Sequence, residues 1–262
     1  MNDYIRNQVM AGYPLSDITV IDAHVHIGYF PSFNISYNTE EHLIEMMDRL
    51  GVDKVLVSSS ASLVSDYKLG NGLVMQANER YPDRILGYAT LNPNYPDDLA
   101  NEIKRCMDHS GIKGFKVHAT YHKSEIDSKA YQLLYEAADK LKCPVLIHTW
   151  GRSDVAAVDK VAQRFPNARL IMGHAGASDT AMADAFEIVK KHANVYIDTA
   201  LSTPLQGNIE WLVENIGSEK IVYGTDMPLF DPRPTLARIA LADISENDRK
   251  NILGLNMLRL LQ

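Results

Sequence analysis

Eight times along its 262 residues the chain repeats one pattern: a short β-branched run, a polar break, then a stretch with helical spacing. The runs lie at 18–26, 54–59, 85–91, 112–118, 144–149, 169–174, 195–200 and 221–226. The helical stretches lie near 39–50, 66–80, 97–110, 127–141, 153–165, 178–191, 207–216 and 233–242. In 127–141, Tyr131, Leu134, Tyr135, Ala138 and Leu141 recur at the spacing of one helix face. Near-continuously apolar strands alternating with helices predict a parallel sheet covered on its faces. Eight such units in about 250 residues is the count of a (β/α)8 TIM barrel, an α/β fold. An open, doubly wound sheet fits less well, because no G-x-G-x-x-G turn follows the first run. The stretch 246–262, with Ile252, Leu253, Leu255, Leu258, Leu260 and Leu261, reads as an extra C-terminal helix packed on the outside. No linker or low-complexity tract divides the chain, so 1–262 is expected to form a single domain.

Charge and cysteine usage narrow the partners. Lys plus Arg is 26 and Asp plus Glu is 33, a net charge of −7. That balance argues against nucleic acid and anionic membranes, which need clustered positive charge. No apolar run reaches the ~20 residues of a membrane helix, and the first residues lack the apolar core of a secretion signal. Cys106 and Cys143 are the only cysteines. A disulfide framework and a cysteine zinc site are both excluded, and a reducing cytoplasm is expected. Any metal must rest on His and carboxylate.

Five of the nine histidines fall at the ends of expected strands: His24, His26, His118, His148 and His174; Asp226 ends the eighth run in the same way. In a barrel, C-terminal strand ends and the loops after them build the active site. A single His at a strand end is more often a satisfied structural residue, so the signal is the set. Side chains alternate along a strand, which puts His24 and His26 on one face with Asp22 below them. Two imidazoles two residues apart can bite one cation, and His148 and Asp226 can complete the site from other strands. Three His and one carboxylate suit a single divalent ion, Zn²⁺ first, with Mn²⁺, Fe²⁺ or Co²⁺ as alternatives. Lys116 is expected to be a buried charge with a carboxylate partner. His42, His109 and His192 are expected to be structural, and the Pro228–Pro234 run a rigid loop.

Asp22-Ala23-His24-Val25-His26, the strand-five Ile147-His148-Thr149, Gly173-His174, Tyr223-Gly224-Thr225-Asp226-Met227-Pro228 and the tail from Asn251 together resemble the metal-dependent amidohydrolase superfamily. The nearest branch is the amidohydrolase 2 group, which includes decarboxylases similar to aminocarboxymuconate semialdehyde decarboxylase. The resemblance implies a distorted barrel with a metal at its mouth. It implies His24, His26, His148 and Asp226 as ligands, His174 as a catalytic residue beside the ion, and a homodimer as a compatible assembly. Members with two metals carry a carboxylated Lys or a Glu at the end of strand four. Here Lys116 stands two residues before that end and His118 at it, which favours one metal.

These residues support a hydrolase acting on a small amide, ester or lactone, with Asp226 taking a proton from metal-activated water and His174 polarising the carbonyl. The alternative is non-oxidative decarboxylation of a small unsaturated or aromatic acid on the same site. A barrel that only binds a ligand comes third. His118, Arg152, Trp150 and Tyr29 are the expected substrate contacts. Arg152 could pair with a substrate carboxylate, and Phe30 could help to wall the pocket. Asp22 is the expected brace for a ligand imidazole, and Asp198 a neighbour behind the ligands.

Overall fold

The computed structural model describes residues 3–200 and 205–262. Its sheet has eight parallel strands in sequence order: β1 (Ile21–Ile27), β2 (Lys54–Ser59), β3 (Ile85–Thr90), β4 (Ile112–Val117), β5 (Pro144–Trp150), β6 (Arg169–Gly176), β7 (Val195–Asp198) and β8 (Ile221–Val222). The ring closes through backbone bonds from Ala23 N to Tyr223 O (2.8 Å), Asp226 N to His24 O (2.8 Å) and His26 N to Met227 O (2.7 Å). The fold is the expected TIM barrel. Its eighth strand is only two residues long, so Asp226 sits on a bend beyond it.

Two apolar layers hold the barrel. The larger lies between strands and helices; Val25, Val57, Phe115, Val145, Leu170 and Ile197 face outward into it. The smaller fills the interior with Ile21, Ala23, Leu56, Leu86, Tyr88, Leu146, Ile171 and Val222. Strict alternation would give β1 a single inner parity. A register shift between Asp22 and Val25 breaks it, and Ala23 joins the inner layer while His24 and His26 also point inward. Above that layer, Leu146 is followed at i+2 by His148 and Leu56 by Ser58, so period two raises polar groups to the mouth.

The C-terminal segment lies elsewhere than expected. Glu246–Lys250 and Asn256–Leu260 are joined by a π-type turn over 251–255. Met257 and Leu260 pack with the inner layer, and Arg169 Nη1 donates to Leu260 O at 2.7 Å. This helix is therefore the floor of the barrel, not part of its outer wall. An N-terminal helix, Tyr4–Ala11, went unseen in the sequence pattern. Arg249 ties both ends together: Nη1 donates to Asp3 Oδ2 (2.7 Å) and Nη2 to Ala242 O (2.6 Å), with the side chain buried. Arg249→Ala strands a buried carbonyl and a carboxylate. It is expected to cost about 3 kcal/mol in urea unfolding, and an unchanged midpoint would refute this role.

Candidate metal centre

Four strand ends deliver the polar groups of the mouth, and each is held by a partner from another strand. His24 Nδ1 donates to Asp198 Oδ2 at 2.7 Å, across the β1–β7 span of the barrel. Because a carboxylate only accepts, this bond puts the ring proton on Nδ1 and leaves the Nε2 lone pair facing the interior. His26 Nδ1 pairs with the Ser58 hydroxyl at 2.9 Å, which turns its Nε2 inward as well. His174 Nδ1 donates to the Ala200 carbonyl, and its Nε2 lies 3.1 Å from His148 Nδ1.

Asp226 is where these rings meet. Its Oδ1 lies 3.1 Å from His26 Nε2 and 3.4 Å from His24 Nε2, and Oδ2 lies 4.0 Å from His174 Nε2. Yet Oδ1 is buried and receives no aligned hydrogen bond. An acceptor surrounded by ring nitrogens that also offer lone pairs fits a cation better than a hydrogen-bond network. Donor atoms of His24, His174 and Asp226 lie within 4.8 Å of one another, the one such His/carboxylate group among the described residues.

Electrostatics agree with that geometry. Burial would raise the Asp226 carboxyl, but His24, His26 and His174 hold it well below the usual carboxylate range. Burial pushes His24 down, with Lys116 adding to the effect. Burial, with His174 and Lys116 nearby, pushes His148 down to about 2, so its ring is neutral over the working range. Asp198 is pushed up to about 6 by burial, against the pull of His174 and Lys116.

His174 and Asp226 sit at φ 66° and 61°, in the left-handed region that side chains seldom adopt. Each is pinned there: His174 N donates to Asp198 Oδ1 (2.8 Å) and Asp226 N to His24 O (2.8 Å). Strain of this kind, about 1 kcal/mol or more per residue, persists where the surrounding fold over-determines it, commonly at active sites.

The structure sorts the expected residues. His24, His26 and His174 converge on Asp226, and His148 joins them through His174; among the described residues the donor group within 4.8 Å holds His24, His174 and Asp226 and omits the expected ligands His26 and His148. His118 lies one residue beyond β4 and stacks face to face on His148, with centroids 3.9 Å apart at 12°; its Nδ1 is buried without a partner. Trp150 lies parallel to the His148 ring with centroids 5.8 Å apart, and is 52% exposed at the rim. Phe30 is buried edge-on to His26. Tyr29 is at the rim but 65% exposed. Arg152 is not brought to the mouth: it heads the helix after β5 and forms an exposed ion pair with Asp184. Asp22 touches no imidazole; it accepts from His24 N, Thr225 N and Thr225 Oγ1 and so fixes the closing seam, while Asp198 does the bracing. Lys116 is fully buried, and its hydrogen-bond partner is His24 Nε2 at 2.8 Å, not a carboxylate. Burial pushes the Lys116 amine down to about 8, opposed by Asp226 and Asp198. Sequence reasoning missed Ser58 altogether, although the inward parity of β2 could have pointed to it.

A cavity of about 690 Å³ opens beside His26, between the loops after β1 and β8, lined by Asn34, Tyr37, His42, Met227 and Phe230. His42 thus reaches a cavity wall despite its expected structural role. No described helix is long and apolar enough to cross a membrane.

Known proteins carry the same chain plan. Gamma-resorcylate decarboxylase of Rhodococcus jostii (strain RHA1) is 21% identical over 80% of this chain and 83% of its own. The 2-amino-3-carboxymuconate-6-semialdehyde decarboxylase of Dictyostelium discoideum is 22% identical over 73% of this chain and 65% of its own. The crystal structure of dihydroxybenzoic acid decarboxylase from Polaromonas sp. JS666, with bound manganese and the inhibitor 2-nitroresorcinol, superposes with a TM-score of 0.74. It covers 93% of this chain and 97% of its own at 18% identity. The amidohydrolase family model matches residues 21–262, from the strand that carries His24 through the helix that floors the barrel, and the chain belongs to that family.

Proposed function

We propose that this protein is a metal-dependent, non-oxidative decarboxylase of a small unsaturated or aromatic carboxylic acid. The observation that carries the reading is the buried Asp226 carboxylate, ringed by inward-facing imidazoles, in a chain whose curated relatives are decarboxylases. Hydrolysis, the first expectation from the sequence, gives way on that second point. Arg152, which would have favoured decarboxylation by facing the pocket, lends no support.

His24, His26, His148 and Asp226 would hold one divalent ion, with His174 beside it. Mn²⁺ is favoured over Zn²⁺ because the Polaromonas relative holds manganese. When bound, such an ion supplies an electrophilic centre for the substrate carboxylate and a neighbouring oxygen. The rest is done by the chain. Asp198 and Ser58 fix the ligand rings. His118 and Trp150 give planar walls around His148 for a flat substrate. For this step His174 carries a second proton on Nε2, beside the one on Nδ1 that faces the Ala200 carbonyl, and delivers the Nε2 proton to the carbon that bears the carboxylate. The bond to the carboxylate then breaks, its electron pair restores the unsaturated system, and CO2 leaves; in net terms a proton replaces CO2. The two cysteines are free and buried, in keeping with a cytoplasmic location.

The test is incubation of Mn²⁺-loaded protein with hydroxybenzoic acids, unsaturated acids, esters, amides and lactones. The expected result is CO2 release, deuterium from D2O at the vacated carbon, and no ¹⁸O from solvent in the product. Solvent ¹⁸O in a cleaved ester, amide or lactone, without CO2 release, would overturn the reading. The Asp198 brace makes a further prediction. Asp198→Asn is expected to weaken Mn²⁺ binding by about 10- to 100-fold in calorimetric titration; wild-type affinity would remove its positioning role.

A further inference from the structure

We propose that Lys116 competes with the divalent ion for the metal seat, because its ammonium claims the same His24 Nε2 lone pair that the ion would use. This rests on the metal-dependent reading above. The residues leave His24 one free donor atom. Nδ1 is committed to Asp198 at 2.7 Å, so only Nε2 can meet an ion, and Lys116 Nζ lies 2.8 Å from it. An ion bound to an imidazole sits about 2.0–2.1 Å from the nitrogen. Along the same lone pair it would lie less than about 1 Å from Nζ, so ammonium and ion exclude each other.

A buried carboxylate calls for positive charge close by. Lys116 reaches in from β4 with its side chain fully buried, and it brings such a charge to His24 and into the field of Asp226 and Asp198. The same amine then sets the terms of loading. Entry of the ion requires the Lys116–His24 bond to break, and afterwards a unit positive charge remains close to a doubly charged ion. Lys116 thereby makes the site weaker for metals than its ligand set alone would be.

The experiment is calorimetric titration of Mn²⁺ into wild type and Lys116→Met, paired with crystal structures of the wild type with and without Mn²⁺. Lys116→Met is expected to bind Mn²⁺ about 10-fold tighter or more. In the wild-type crystals, Nζ is expected to leave hydrogen-bond distance of His24 Nε2 when the ion is present. Equal or weaker binding by the variant would overturn the proposal. An ion seated with Nζ still bonded to His24 would overturn it too, and that observation does not depend on whether the variant folds. A wild type that takes up no divalent ion would remove the metal-dependent reading itself, a result distinct from equal affinities in the two proteins.

Discussion

Asp226→Asn is expected to lower kcat/KM for CO2 release by about 10³-fold or more, roughly 4 kcal/mol of transition-state stabilisation. The amide keeps the shape and volume of the carboxylate. What it loses is the charge that faces His24 Nε2 at 3.4 Å and His26 Nε2 at 3.1 Å. It also sets an NH2 group where an acceptor stood, so one nitrogen lone pair now meets a donor. The backbone bond from residue 226 N to His24 O does not involve the side chain, so the positive-φ bend and the barrel seam should survive. Circular dichroism and the urea midpoint would confirm that the fold is retained, and metal analysis would show reduced occupancy. An Asp226→Asn protein with full turnover would end the assignment of this mouth as the active site.

The second large effect concerns His174. His174→Ala is expected to cut turnover by about 10²- to 10⁴-fold, the range of a lost proton donor, while Mn²⁺ stoichiometry stays at the wild-type value. His148→Ala, by contrast, is expected to lose the metal. The contrast is needed because His174 Nε2 and His148 Nδ1 are only 3.1 Å apart, and the three donor atoms that all fall within 4.8 Å of one another belong to His24, His174 and Asp226. If His174→Ala loses the ion and His148→Ala keeps it, the two imidazoles exchange roles.

Much of this architecture could be read from periodicity, because it is local. A β-branched run and the helix after it declare themselves within about 25 residues, and eight repetitions left few folds open. The histidines at strand ends were legible for the same reason: the end of a run marks the mouth of a barrel. What stayed hidden depends on contacts distant in sequence. Asp198 reaches His24 across 174 positions, and nothing in either neighbourhood announces the pair. Arg152 follows His148 closely, but the helix it begins turns it toward Asp184. The floor helix showed its apolar stripe plainly. The stripe could not say whether the buried face met other helices or the bottom of the sheet, since Met257 and Leu260 would be apolar in either case. The bulge in β1 was equally silent, and it alone lets Ala23 and the two histidines share the interior.

The way the bottom of the cylinder is stoppered bears on how the molecule comes into being. Ile21 and Ala23 emerge from the ribosome early, but two of their companions in the inner layer are Met257 and Leu260, made more than 230 positions later. The seam from Ala23 to Tyr223 is under the same delay. A nascent chain halted anywhere short of Leu260 would carry an open trough of apolar side chains, so the barrel can finish folding only after that residue has left the ribosome.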